Sequence, residues 1–319
     1  MEIIYAFINP ACHITWVCFI VHRMQRLLDQ GVRCIVLTSG TLSPLNALIK
    51  ELSIPIGVTL ENPHVIQPSQ ICVGIIDKGP DSVTLDSSFR NRGSQEYVMS
   101  LGRTILNLSR LIPHGLLVFF PSYTIMKNCQ DAWQEDGLWA RICTSKPIFA
   151  EPRSKDGLTA AINEYYTKIM DPIVKGACFM AVTRGKVSEG LDFADMNGRG
   201  VIVTGIPFPP CMDPRVVLKR TYLDELVKEN ASNLSGQSWY QLEASRAVNQ
   251  AVGRVIRHAK DYGAILLCDE RFRRSSFSNQ LSSWIQPHIR VFKHFGEVTR
   301  VVKDFFTVAE KTVKHTHFF

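Results

Sequence analysis

The chain has 319 residues, 45% hydrophobic and 20% charged, which excludes a disordered or collagen-like polypeptide and supplies apolar surface for one large or two ordinary domains without staples. Lys and Arg number 36 against 29 acidic residues, a net charge of +7 that suits a polyanionic partner without requiring one. Between Arg246 and Arg274 seven basic residues meet three acidic ones, so the positive charge is concentrated there.

The apolar amino-terminal stretch is interrupted by Glu2, Asn9, Pro10, His13 and Thr15 and has no basic segment before it, so neither a targeting sequence nor a membrane span is expected. Cys12, His13, Cys18 and His22 lie close together, but the nine cysteines form no CxxC pair and several sit in apolar runs. Reduced core thiols of an intracellular protein are expected, and no metal site. Residues 14–21 read as a strand, 22–31 as a helix closed by Gly31, and 32–37 as a second strand. The loop TSGTLSP at 38–44 combines hydroxyls with a permissive glycine; it suits a ligand loop at a strand's end or a turn capped by Thr41 or Ser43. Pro55, Pro63 and Pro68 mark a linker flanked by strand candidates at 58–66 and 71–79. A polar loop at 81–93 leads to a helix at 97–112 that stops before Pro113.

GLLVFFPSY at 115–123 reads as a buried strand that delivers Ser122 and Tyr123 to its carboxyl edge, where hydroxyls can meet a nucleic-acid phosphate or pack on the next helix. A helix at 126–138 carries Trp133 as a core anchor; a short strand at 146–152 and a helix at 158–169 follow. The strand at 177–182 leads into TRGKVSEGLDF, where Arg184 and Lys186 flank Gly185 and Glu189, Gly190 and Asp192 follow. Cations contact phosphates and a carboxylate accepts from a ribose hydroxyl or orients an arginine, although the same mixture serves a solvated loop. Residues 198–210 form a strand ending in a rigid proline loop, and Pro214 opens a helix over 213–226. After a loop at 229–237, a helix from Ser238 carries Gln250 and continues into Arg254 and Arg257, whose three-residue spacing puts both guanidiniums on one helical face, for phosphate oxygens or for solvent. A strand at 264–268 precedes Arg271, Arg273 and Arg274, the last a nucleic-acid contact or part of a solvated face. A final amphipathic helix at 297–313 is expected to pack on the domain. Strands alternating with helices over about 110–275 give an α/β class with a mostly parallel sheet.

Four of these stretches together resemble the XPD-like DNA helicases of superfamily 2. TSGTL at 38–42 is similar to their motif III, LLVFFPSY at 116–123 to motif IV, RGKVSEGLDF at 184–193 to motif V and QAVGRVIRH at 250–258 to motif VI, in family order and spacing. The likeness covers nearly the whole chain from about residue 16; through EPRSK at 151–155, GRGVIVTG at 198–205, MDPRVVLK at 212–219 and LSGQSWY at 234–240 it is strongest to the telomere-maintenance branch, with the Fanconi-anaemia group J and sister-chromatid-cohesion branches as alternatives. It implies a RecA-like second motor domain of the P-loop NTPase type at 61–319, preceded at 1–60 by a remnant of the first motor domain. It further implies catalytic roles for Arg254, Arg257 and Gln250, with Arg254 and Arg257 reaching the β/γ-phosphates of ATP. Nucleotide-linked roles fall to Gly190, Asp192, Glu189, Gly253, Ser39, Gly40 and Thr41, and DNA contacts to Ser122, Tyr123, Arg184 and Lys186. The implied activity is ATP- and Mg²⁺-dependent 5′ to 3′ movement on single-stranded or structured DNA in repair, recombination and telomere maintenance. The implied setting is the nucleus, with DNA repair and replication proteins as partners and no membrane.

The departures carry their own expectations. No GxxxxGK[ST] string or DEAH box occurs, and the cysteine ligands of the family's 4Fe-4S cluster are missing. Met1–Pro10 and FIVHRM at 19–24 depart from the family pattern, as in a truncated gene model, an alternative start or a degenerate copy. The isolated chain is therefore expected to be catalytically incompetent, working with a missing first domain or acting as a nucleic-acid-binding or regulatory fragment. A metabolic α/β enzyme for a phosphorylated substrate fits the fold pattern but leaves four ordered motifs unexplained.

Overall fold

The computed structural model describes residues 24–39, 44–62, 64–187, 193–230 and 234–316, with backbone alone at 155–156 and 312–316. The chain divides into two compact units, Met1–Pro63 with Phe208–Arg246, and His64–Pro207 with Ala247–Phe319.

The second unit is built on a seven-stranded sheet: β1 Ile71–Ile75, β2 Leu116–Phe120, β3 Ile148–Ala150, β4 Cys178–Val182, β5 Gly200–Val203, β6 Gly263–Leu267 and β7 Ile289–Val291. Its order is β3-β4-β2-β5-β6-β1-β7, and every pairing is parallel. The parallel α/β expectation therefore holds, for a local reason. ICVGI, LLVFF, CFMAV, GVIV and GAILL are unbroken short runs buried along their whole length, the composition of strands covered on both faces. Register then joins remote segments: Leu116 lies opposite both Cys178 and Gly200, and Val201 opposite Ile265.

The helices close over this sheet. Helix α2, Gln95–Leu111, ends where the N–H of Ile112 returns to the Leu108 carbonyl, just before Pro113. The helix expected at 126–138 is two, α3 Tyr123–Glu135 and α4 Leu138–Ser145, separated by Gly137 in the left-handed region at φ +73°. Trp133 is the expected anchor: fully buried, it donates its indole N–H to the Val98 carbonyl at 2.8 Å. Gly102 gives it room, since a Cβ there would sit 2.5 Å from the indole nitrogen. Helix α5 is Lys155–Met170, and α8, Phe295–Thr316, buries Val298, Val302 and Phe306 as its periodicity requires.

In the first unit, α1 is Leu45–Leu52 and α6 is Pro214–Glu229, whose N-cap Asp213 accepts from Arg215 N at 2.9 Å with proline in the first turn. Helix α7, Gly236–Val252, runs through the unit boundary. Arg246 on α7 pairs with the buried Glu51 of α1 at 2.7 Å and with Glu243 at 3.0 Å. Val216, Leu223 and Trp239 form a small apolar cluster.

Two strand expectations fail. Residues 32–37 and the described residues of 58–66 form no strand, and Val36, Val58, Leu60 and Val65 are exposed. β-branched residues favour a strand when a neighbouring strand completes the ladder, and no described strand pairs with these segments. The strand expected at 14–21 and the Cys12, His13, Cys18 and His22 group lie outside the described residues.

The core also sets an alkaline limit. Burial pushes the thiols of Cys72, Cys129 and Cys178 up to about 11, 12 and 12, and raises that of Cys268 as well. In the unfolded chain these thiols ionise near pH 9 while the folded ones keep their protons, so each removes about 1.4 kcal/mol of stability per pH unit above that. Lys146 works in the opposite sense. Its ammonium is buried against the carbonyls of His114 and Lys175 at 2.6 and 2.7 Å, and desolvation lowers it to about 8, so between there and the ordinary lysine value the unfolded chain holds the extra proton. Four thiols outweigh one ammonium. Urea midpoints should fall from pH 9 to pH 11, and more steeply in Lys146→Met; a flat profile would show that these groups titrate alike in both states.

Candidate functional site

At the carboxyl edge of the sheet, the turns after β2, β3 and β4 converge on one carboxylate. Ser122 closes β2 and caps α3, accepting from Ile125 N at 3.3 Å. Tyr123 donates its hydroxyl to Glu151 Oε1 at 2.9 Å, and its ring lies 5.7 Å from the guanidinium carbon of Arg153. Burial, and then the Glu151 carboxylate, push the phenol up to about 12. Glu151 follows β3 and is 3% exposed. It also accepts from Val182 N at 2.9 Å and Val187 N at 3.4 Å, so it grips the turn after β4 at both ends. Gly185 lies directly against that carboxylate, where a Cβ would stand 2.7 Å from Oε1. Arg184 takes φ +66° and is exposed. Lys186 donates to the Arg153 carbonyl at 2.7 Å. Sequence reasoning missed Glu151. The signals available were its place after a short apolar run, beside Pro152, and the family likeness of EPRSK at 151–155.

A second buried carboxylate organises the neighbouring turns. Asp269, after β6, is fully buried and accepts from Ser87 N and Oγ at 2.9 and 2.7 Å and from Arg271 N, Nε and a terminal nitrogen at 2.9, 2.8 and 2.7 Å. Arg273 pairs with Asp77, and Arg274 is exposed. Gly205, two residues beyond β5, fits between Ser87 and Pro121: a Cβ would overlap Ser87 Oγ and sit 3.1 Å from Pro121 Cγ. That contact sets the Ser87 loop beside the Ser122 turn.

Arg254 and Arg257 occupy the opposite edge. Helix α7 stops at Val252; Arg254 N and Val255 N make turn bonds to Ala251 and Val252 carbonyls at 3.2 and 3.3 Å. The two guanidiniums therefore do not share a helical face. Gly253, a poor helix former, follows the last helical residue, and Val255 and Ile256 beyond it are buried in the turn. Gln250 remains on α7, half-buried. The loop is held by Asp261, fully buried, which accepts from Arg257 N at 3.1 Å, Tyr262 N at 2.9 Å and Arg199 at 2.5 Å. Arg199 stacks 3.9 Å above the Tyr262 ring, and Gln70 donates to the Ala259 and Asp261 carbonyls at 2.9 and 2.8 Å.

Parallel pairing thus separates the candidate residues: Ser122, Tyr123, Arg184 and Lys186 follow strands, whereas Arg254 and Arg257 precede β6. Ser39 is exposed. Gly40, Thr41, Glu189, Gly190 and Asp192 lie outside the described residues. Asp195, His258 and Asp261 present ligand atoms within 4.8 Å of one another. Both Asp261 oxygens already accept from donors and Arg199 adds positive charge, and an iron-sulphur cluster requires cysteine thiolates instead. No helix among the described residues is long and apolar enough to cross a membrane.

The profile of the helicase C-terminal domain family matches residues 105–288. Regulator of telomere elongation helicase 1 homologs from Culex quinquefasciatus and Aedes aegypti are each 59% identical, over 91% and 90% of this chain. The Drosophila ananassae homolog is 56% identical over 91% of it. The chain spans only 30%, 29% and 29% of those relatives. Among solved structures, an XPD helicase aligns with a TM-score of 0.57 at 22% identity, covering 84% of this chain and 44% of that one. S. tokodaii Xpd4 aligns with a TM-score of 0.50 at 17% identity, covering 84% and 47%. At these identities the likeness concerns the fold, and the helix-flanked parallel sheet is consistent with a RecA-like motor.

Proposed function

Because this chain belongs to the helicase C-terminal domain family, as an XPD-like superfamily 2 member closely related to the regulator of telomere elongation helicase, we propose that it is the second motor domain of an ATP-dependent DNA helicase. Residues 61–319 form that domain in this reading, and residues 1–60 the carboxyl-terminal edge of the first. Its substrate is DNA, traversed 5′ to 3′ during repair, recombination and telomere maintenance in the nucleus, alongside repair and replication proteins.

The observation that carries the reading is the placement of the described parts of the loops resembling motifs IV, V and VI at two edges of one sheet, each edge held by a buried carboxylate. Ser122, Tyr123, Arg184 and Lys186 meet DNA at the carboxyl edge. Arg254 and Arg257, with Gln250 and Gly253, face the nucleotide at the other. Arginine forks suit the charge that develops on a transferring phosphoryl group, supplied across an interface. The lysine cradle for the phosphates and the Mg²⁺ carboxylates are assigned to a first motor domain. Ser39, Gly40, Thr41, Glu189, Gly190 and Asp192 link nucleotide state to domain movement. The absence of GxxxxGK[ST] from these 319 residues favours a second reading for the chain alone, a non-catalytic nucleic-acid-binding or regulatory fragment.

The purified chain should show no ATP turnover with or without single-stranded DNA, yet bind that DNA with an affinity that falls as salt rises. Turnover that is stimulated by DNA and lost in Arg254→Ala and Arg257→Ala would overturn the assignment of the nucleotide cradle to another domain. Absence of DNA binding would overturn the DNA-contact assignment.

A further inference from the structure

The loop between β1 and α2 carries an aromatic side chain that the motifs do not account for. Phe89 is 83% exposed, although burying such a ring is ordinarily favourable by a few kcal/mol. The guanidinium carbon of Arg92 lies 4.6 Å from its centroid, and Arg90 beside it is exposed. The loop beneath is fixed. Asp86 accepts from Ser88 N at 2.8 Å, Ser88 Oγ at 2.9 Å and Asn91 Nδ2 at 2.6 Å; Ser87 is tied to the buried Asp269; Arg92 N returns to the Ser88 carbonyl at 2.8 Å. Through the close fit of Gly205 between Ser87 and Pro121, the loop stands beside the Ser122 turn on the carboxyl edge.

A rigid base, an exposed ring with a cation over one face and the other face open, and a second exposed cation reproduce the elements of a single-strand platform, on which bases of any identity stack while arginine meets the backbone. The geometry points to Phe89 and Arg90 as a further contact for single-stranded nucleic acid, the ring stacking on a base and the guanidinium meeting a phosphate. This rests on the proposal that the carboxyl edge faces DNA and extends it to a residue outside the four motifs.

The test is fluorescence-anisotropy titration of the full chain with a labelled oligothymidine and with an abasic strand of equal length. Phe89→Ala should weaken oligothymidine binding about 5- to 100-fold and leave abasic binding unchanged, while Phe89→Trp retains it. Arg90→Ala should weaken both strands and reduce the salt slope by about 0.7. Because both side chains are exposed, thermal midpoints should not move. Wild-type binding to oligothymidine that Phe89→Ala leaves intact would overturn this contact while keeping the DNA-facing edge. No wild-type binding to either strand would overturn both. Equal loss on both strands in Phe89→Ala would replace base stacking with a loop rearrangement and also overturn the proposal.

Discussion

Asp261→Ala should destabilise the chain by about 3–5 kcal/mol, because it removes one partner of a buried ion pair and leaves the other. Asp261 is fully buried and Arg199 is 7% exposed, so the guanidinium would keep its charge with only the exposed Asp195, 4.0 Å away, as a counterion. The N–H groups of Arg257 and Tyr262 would lose their acceptor as well. Asp261→Asn keeps one acceptor oxygen and should cost about half as much. Arg199→Met leaves a carboxylate that still accepts two backbone bonds, so it too should cost less than Asp261→Ala. Combined with Asp261→Asn, it should be less destabilising than the sum of the two single changes by about 1–3 kcal/mol, the signature of residues sharing one network. Urea unfolding of the four variants measures this directly. A loss below about 1 kcal/mol in Asp261→Ala, the size of one ordinary hydrogen bond, would mean that water or another group replaces the carboxylate, and the account of how the Arg257 loop is held would fail.

Glu151→Ala is expected to cost about 3 kcal/mol and to weaken DNA binding beyond that loss of stability, since two hydrogen bonds to a buried carboxylate disappear at once. The Tyr123 hydroxyl and Val182 N both donate to it, and Val187 N approaches at 3.4 Å. Glu151→Gln should stay within about 1 kcal/mol of the parent: its amide oxygen accepts from Val182 N, and its NH₂ donates to a tyrosine hydroxyl turned to accept. Tyr123→Phe separates the possibilities. Added to Glu151→Gln it strands a buried NH₂ and should cost more than in the parent, where the carboxylate keeps its backbone donors. Unfolding midpoints paired with DNA titrations test both halves. If Glu151→Ala binds DNA as the parent does, the turn carrying Arg184 and Lys186 does not depend on Glu151 for its working shape.

The sequence by itself determined the strands whose signal is local. Five unbroken apolar runs, a proline stop after Ile112, an amphipathic last helix and the buried Trp133 each depend on a few adjacent side chains. The order of the motif stretches was legible in the same way, and family membership followed from it. The segments 32–37 and 58–66 had the right composition and lacked a partner edge, which no single stretch of residues reveals. The end of α7 escapes the sequence because a three-residue spacing implies a shared face only while the helix continues, and it gives way to turn bonds after Val252, at Gly253. What only the tertiary structure decided was which residues meet. Glu151 touches Val182 and Tyr123, Asp269 touches Ser87, and Asp261 touches Arg199, pairs 28 to 182 residues apart in the chain. Parallel register brings such residues together, and it sends the residues that follow strands to one edge and those that precede them to the other, because side-chain pattern encodes burial but not which strand lies alongside.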